Sequence, residues 1–153
     1  MRPAALLLLL LALAACTQAR ESPEDQLRAF LAQAEKAVEE RDAGALKALI
    51  ADDYRDEEGR DKRALVGYAT YQMLREGSLH LSTRLLAAEF PEPRRANAVV
   101  LAAMARTRIE LFSLPDVDAD VYRFTLALRR DDDQWQVARA EWRPATVEDV
   151  AGD

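Results

Sequence analysis

The 153-residue chain carries a single cysteine and a single histidine. One cysteine forms no internal disulfide, and one histidine builds neither a His-based metal cluster nor paired-histidine chemistry. Positive charge is also scarce. Lys and Arg number 21 against 27 Asp and Glu, for a net charge of −6. Such a chain lacks the basic field that grips phosphate backbones, which excludes the usual modes of nucleic-acid binding. There is no Gly-x-Ser-x-Gly, no phosphate-cradling glycine loop and no zinc-ligand spacing. Long apolar runs are missing after the first sixteen residues. What is present is a 50% hydrophobic share spread among 31% charged residues. That mixture belongs to a folded chain rather than a disordered one, and the length suits one domain with one core.

The exceptional apolar run lies at the start. Met1 and Arg2 precede Ala4 to Ala15, a stretch built wholly of Leu and Ala. It is too short for a membrane-spanning helix of about 20 residues. It fits the apolar core of a signal peptide, about 7–15 residues. The run ends Leu13-Ala14-Ala15-Cys16, followed by Thr17-Gln18. This pattern resembles the lipobox of bacterial lipoproteins. The resemblance implies that residues 1–15 are a signal peptide and that Cys16 is lipidated on its sulfur and its new amino group. It further implies a membrane anchor. Thr17 stands where an Asp would retain the protein at the inner membrane, so the implied address is the periplasmic face of the outer membrane. Each buried CH₂ contributes about 0.8 kcal/mol, so two or three acyl chains hold where one is marginal. Residues 16–21 then form a tether.

Beyond the tether, Ser22 can cap a helix, with Pro23 suited to its first position and Glu24 and Asp25 to its positive end. Leu27, Phe30, Leu31, Ala34, Ala37 and Val38 recur at helical spacing. Asp42 can cap a second, short helix. A short strand is expected around Tyr54. Asp61 can cap a third helix, with Ala64, Leu65, Tyr68 and Tyr71 as its apolar side and Gly77 as its stop. After Gly77 the period changes to two. Leu79, Leu81, Thr83 and Leu85 alternate with Ser78, His80, Ser82 and Arg84, and Pro91-Glu92-Pro93 is expected to end that strand. Ala96 to Phe112 reads as one long strand that should bend or carry a bulge. Tyr122, Phe124, Leu126 and Leu128 mark the next strand, Asp131 to Asp133 a tight turn, and Trp135 to Pro144 the last strand. Residues 22–143 thus form one domain, followed by an acidic tail, 144–153, expected to fray.

Helices followed by antiparallel strands make an α+β protein, with the helices packed in the concave face of a strongly curved sheet. The order of elements, with Ala43-Gly44-Ala45-Leu46 leading to Asp53-Tyr54 and Gln134-Trp135-Gln136-Val137 near the end, resembles the nuclear-transport-factor-2-like (NTF2-like) cone fold. That group includes ketosteroid isomerases, polyketide cyclases, dehydratases and many proteins that only bind. The resemblance implies a pocket between helices and sheet. No residue-by-residue match to a catalytic motif accompanies it.

The candidate pocket residues are Asp53, Tyr54 and His80. Asp53 and Tyr54 could offer an acid and a hydroxyl at a pocket mouth, or simply close a turn and fill the core. His80 could serve as a base, but its alternation with Leu79 and Leu81 points it away from the core. Asp116-Val117-Asp118-Ala119-Asp120 opens like a calcium loop, yet Val121 and Ala127 stand where the loop needs Gly and Glu. Arg106, Arg108, Arg123, Arg129, Arg139 and Arg143, with Glu141, form either an anion-binding face or the outer side of the sheet. Tyr122, Trp135 and Trp142 read as core or rim. These observations lead to a non-enzymatic module, lipid-anchored through Cys16, with no cofactor and no metal. Its partner would be a small apolar ligand or an envelope protein, and it could form a homodimer through the sheet. The alternative is a small isomerase or cyclase using Asp53, Tyr54 or His80 as acid–base groups.

Overall fold

The computed structural model describes residues 21–75, 77–106 and 120–151. Cys16 and the lipobox lie outside them, as do Arg108 and Asp116 to Ala119. Helix α1 runs Pro23–Glu39, and its start follows the sequence: the Ser22 side chain accepts the Asp25 amide at 3.1 Å, with Pro23 in the first turn. Leu27, Phe30, Leu31 and Ala37 are its buried stripe. Two hydrogen bonds close its end. The Asp42 amide donates to the Ala37 carbonyl at 2.8 Å, and the Arg41 amide to Val38 at 3.1 Å. This closure requires a left-handed residue, and Arg41 supplies it at φ 56°. Asp42 then caps helix α2 (Ala43–Ala48), its carboxylate accepting the Ala45 amide at 2.8 Å.

Strand β1 spans Ile50–Asp56. Helix α3 (Lys62–Arg75) follows, with Asp61 accepting the Ala64 amide at 2.8 Å. Its inner side differs from the one helical spacing predicts. Met73 is buried and Leu65 and Val66 pack on the core, whereas Tyr68 and Tyr71 stand in solvent. A tyrosine carries a polar tip that tolerates water, so a tyrosine pair marks a helix face poorly.

The remaining strands are β2 (His80–Glu92), β3 (Arg95–Ala105), β4 (Asp120–Asp131) and β5 (Gln134–Pro144). They form one sheet in the order β1-β5-β4-β3-β2, antiparallel except for the parallel edge pair β1–β5. β2 continues through Pro91 and Glu92, because an edge strand tolerates proline. The sheet's curvature arises beside β3 rather than in it. β3 pairs with β4 in unbroken register from Arg95↔Arg129 to Met104↔Asp120. On β2 the register steps at Leu86, and on β5 it steps at Ala138. Each extra residue flips the inward side. β2 turns Leu85 inward before the bulge and Ala88 and Phe90 after it, while β5 turns Trp135 and Val137 inward, then Ala140 and Trp142. The bulges bend the sheet around α1. Ala96, Ala98 and Val100 of β3 belong to the core, while α1 lies closest to β2, where Glu35 accepts the Thr83 amide at 2.6 Å and hydroxyl at 2.7 Å.

The expected fraying is not seen in the described part of the tail, up to Ala151. Val147–Ala151 form a short helix, α4, opened by Thr146, whose Oγ1 accepts the Asp149 amide at 3.3 Å. Arg84 of β2 and Arg123 of β4 both flank Leu101 of β3 in register, and both reach α4. The helix therefore lies on the outer face of the sheet, opposite α1.

Candidate functional site

The three candidate pocket residues do not meet. β1 and β2 are the two edges of the sheet, so Asp53 and Tyr54 sit at one edge and His80 at the other. Asp53 points into solvent and pairs with Arg129 at 2.8 Å. Tyr54 points the other way and is fully buried, its hydroxyl without a hydrogen-bond partner. Burial, and then the neighbouring Asp56 carboxylate, push its phenol up to about 12, out of reach of acid–base work near neutrality. His80 is held by Glu39 of α1, Nδ1 to Oε1 at 3.2 Å.

Behind Tyr54 lies a buried ion pair. Asp56 accepts the Arg60 amide at 2.9 Å and its Nε at 2.7 Å, and the Arg60 guanidinium lies 4.9 Å from the centre of the Trp142 ring. Burial would raise the Asp56 carboxyl, but these bonds from Arg60 outweigh it and hold the carboxyl below the usual range. The carboxylate is saturated by its own turn, which makes it structural.

The concave side of the sheet is closed by apolar packing. Between α1 and the sheet, Leu27, Phe30, Leu31, Leu85, Ala98, Val100, Leu126 and Leu128 leave no space for a water molecule. Open volume lies at one end of this core instead. A cavity of about 290 Å³ separates the first turns of α1 from the β4–β5 turn. Gln26, Phe30 and Gln33 line it from the helix; Arg130, Asp133, Gln134 and Trp135 line it from the hairpin. Asp132 and Asp133 both adopt positive φ, 41° and 66°, the conformation of a type I′ turn, which brings Trp135 back under α1.

The polar groups here are mixed: Glu21 and Asp133 bring carboxylates, and Gln26, Gln33 and Gln134 bring both donors and acceptors. Trp135 is 4% exposed and lines the cavity with its indole Nε1–H lacking an acceptor. The Arg130 Nε–H is likewise buried without one, while its Nη2 pairs with Asp133 at 3.0 Å. A buried donor left unmade costs about 1–3 kcal/mol, and both nitrogens are covered by protein rather than open to the cavity their residues line. Sequence reading took Trp135 as core or rim and singled out neither Arg130 nor Gln33. The only available signal was the Asp-Asp turn, which places residues 130 and 135 side by side on paired strands.

The strand arginines divide in two. Arg129 pairs with Asp53, and Arg139 with Glu141 at 3.2 Å. Arg123 and Arg143 bind Asp149 of α4. Among the described residues no group of three or more His, Cys, Asp or Glu side chains gathers as a metal site would, and no helix is long and apolar enough to cross a membrane.

No protein-family model matches the chain, and no curated protein matches it. Solved structures do. A candidate scytalone dehydratase of Novosphingobium aromaticivorans is similar with a TM-score of 0.64 at 17% identity, covering 80% of this chain and 84% of that one. An NTF2-like protein of unknown function from Shewanella oneidensis gives 0.63 at 16% identity, covering 79% and 98%. A domain of unknown function with a cystatin-like fold from Nostoc punctiforme gives 0.61 at 14%, covering 81% and 78%. At such identities the likeness is one of backbone, and it agrees with the α+β architecture built above: the chain has the NTF2-like, cystatin-like cone fold.

Proposed function

We propose that this chain is a lipid-anchored binding module of the bacterial envelope, tethered through Cys16 at the periplasmic face of the outer membrane and not an enzyme. Its ligand site is the cavity between α1 and the β4–β5 turn. The observation that carries this is the open volume itself, bounded by Phe30 and Trp135 and by the side-chain amides of Gln26, Gln33 and Gln134. The ligand is a small molecule carrying both donors and acceptors, matched to those amides, with an apolar part that rests on Phe30. The closed concave side favours this over an apolar ligand within the core. The separation of Asp53, Tyr54 and His80 favours binding over isomerase or cyclase chemistry. Glu21 also lines the cavity, and it directly ends the tether. Five residues of extended chain span at most about 18 Å, so an anchor on Cys16 would hold the cavity close to the lipid surface.

Native mass spectrometry of the full protein, taken gently from its own envelope, tests both parts. The expected result is a non-covalent small molecule on the monomer that the double change Gln26→Ala, Gln33→Ala loses. A saturable activity on a carbonyl substrate, abolished by changing a cavity residue, would displace the binding reading. The anchor is tested by Cys16→Ser, which should abolish acyl labelling.

A further inference from the structure

Three arginines from β2, β4 and β5 gather on the outer face. Arg123 of β4 stands directly opposite Arg143 of β5, and Arg84 of β2 lies across Leu101 from Arg123. Like charges in register repel, so such a cluster is stable only around anionic or acceptor groups. The chain supplies them from its own end. Arg143 grips both oxygens of Asp149, at 2.6 and 3.0 Å, and Arg123 Nε reaches the same carboxylate at 3.0 Å. Arg84 Nη2 donates to the Val150 carbonyl at 2.8 Å. The Asp149 carboxylate also accepts the Thr146 amide at 2.8 Å.

The helix that delivers this carboxylate is poorly held otherwise. α4 has five residues and none is buried; Val147 is 86% exposed. A helix this short has no stability of its own. Its attachment is therefore polar: the Asp149 ion pairs, the Arg84 bond to the Val150 carbonyl, and the Ala145 amide on the Val121 carbonyl at 2.9 Å just before it.

We propose that the cleft formed by Arg84, Arg123 and Arg143 is a recognition site for an acidic peptide segment of a partner protein, and that α4 occupies it as an internal competitor. The tail is the template for the ligand: a helix start of the form Thr-x-x-Asp whose carboxylate takes the bidentate guanidinium. Because the internal segment acts at an effective concentration near the millimolar range, an external segment binds well only once α4 has been released.

The test uses the full chain carrying Asp149→Ala and a fluorescent peptide with the sequence of residues 145–153, read by anisotropy. The peptide is expected to bind D149A at least tenfold more tightly than the unsubstituted chain. Adding Arg143→Ala should remove that binding, and salt should weaken it. Equal binding to both chains, or none to D149A, overturns the proposal. A dimer of the unsubstituted chain that D149A loses would give the cleft to a second copy's tail, and overturns it too. If D149A does not fold, hydrogen exchange on the unsubstituted chain decides. Amides of residues 147–151 exchanging at least tenfold faster than those of β3, and faster still in salt, support a releasable segment. Exchange of α4 only together with the sheet overturns it.

Discussion

Arg41 is the clearest local compromise in the chain. Its φ of 56° lies where a Cβ is crowded, yet the closure of α1 and the capping of α2 both depend on that turn. Arg41→Gly keeps both and removes the crowding, so it should raise stability by about 1 kcal/mol in chemical denaturation. Tyr54 offers a second case. Its buried hydroxyl has no partner, so Tyr54→Phe should stabilise by about 1 kcal/mol; a loss would mean that the hydroxyl does hold a partner. The same tyrosine gives a pH signature. Its phenol is pushed up to about 12 in the fold, above the ordinary value near 10. The stability it lends is complete below about pH 10 and is lost as the pH rises from there through about 12. Ultraviolet titration should show one tyrosine ionising after the rest.

Among the elements, the two bulges decide which residues the sheet buries. Leu86 is itself partly exposed, so Leu86→Ala should cost under about 1 kcal/mol. Deleting Leu86 is a different change: Leu85, Ala88 and Phe90 keep their partners and stay inward, and what is lost is the bulge that bends the strand. Inserting one alanine between Ala88 and Glu89 turns Phe90 outward instead, which costs about 2 kcal/mol, and calorimetry should find the insertion far more damaging than Leu86→Ala. α4 answers to pH in the opposite sense to Tyr54. The Asp149 carboxyl is held below its usual range, first by Arg143 and then by the Thr146 amide. Its contribution is present above about pH 4 and fades as the pH falls further. Far-UV spectra and amide exchange should therefore show α4 loosening in acid before the sheet does.

These elements also show what a sequence reading reaches. Ser22, Asp42 and Asp61 announce their helices by side-chain chemistry acting within three residues, and the Asp-Asp turn announces its hairpin. The bulges carry no local mark, because Leu86 and Ala138 are ordinary strand residues whose role appears only in register. The third helix misleads because its tyrosines suit either side. α4 has a local start signal, Thr146 with Asp149 three residues on, but its docking has none, because its partners Arg84, Arg123 and Arg143 stand on three different strands. The cavity is likewise a product of juxtaposition, with half of its walls from α1 and half from a turn near the other end of the chain.

At the level of the whole molecule, one core does all the holding, and α1 supplies its centre. Phe30 touches both that core and the proposed ligand site. Phe30→Ala should cost about 3–5 kcal/mol, a large part of the stability of a domain this size. The molecule's one parallel pairing has a temporal consequence. β1 finds its partner, β5, only after roughly 85 more residues have been made, and Trp135, Val137 and Ala140 of that last strand complete the core. A nascent chain halted at Asp131 has its helices and hairpins but no way to seal them. It should show no cooperative melting. The native state therefore arrives late in synthesis, and until β5 emerges the chain stays loose enough to be threaded through a narrow channel.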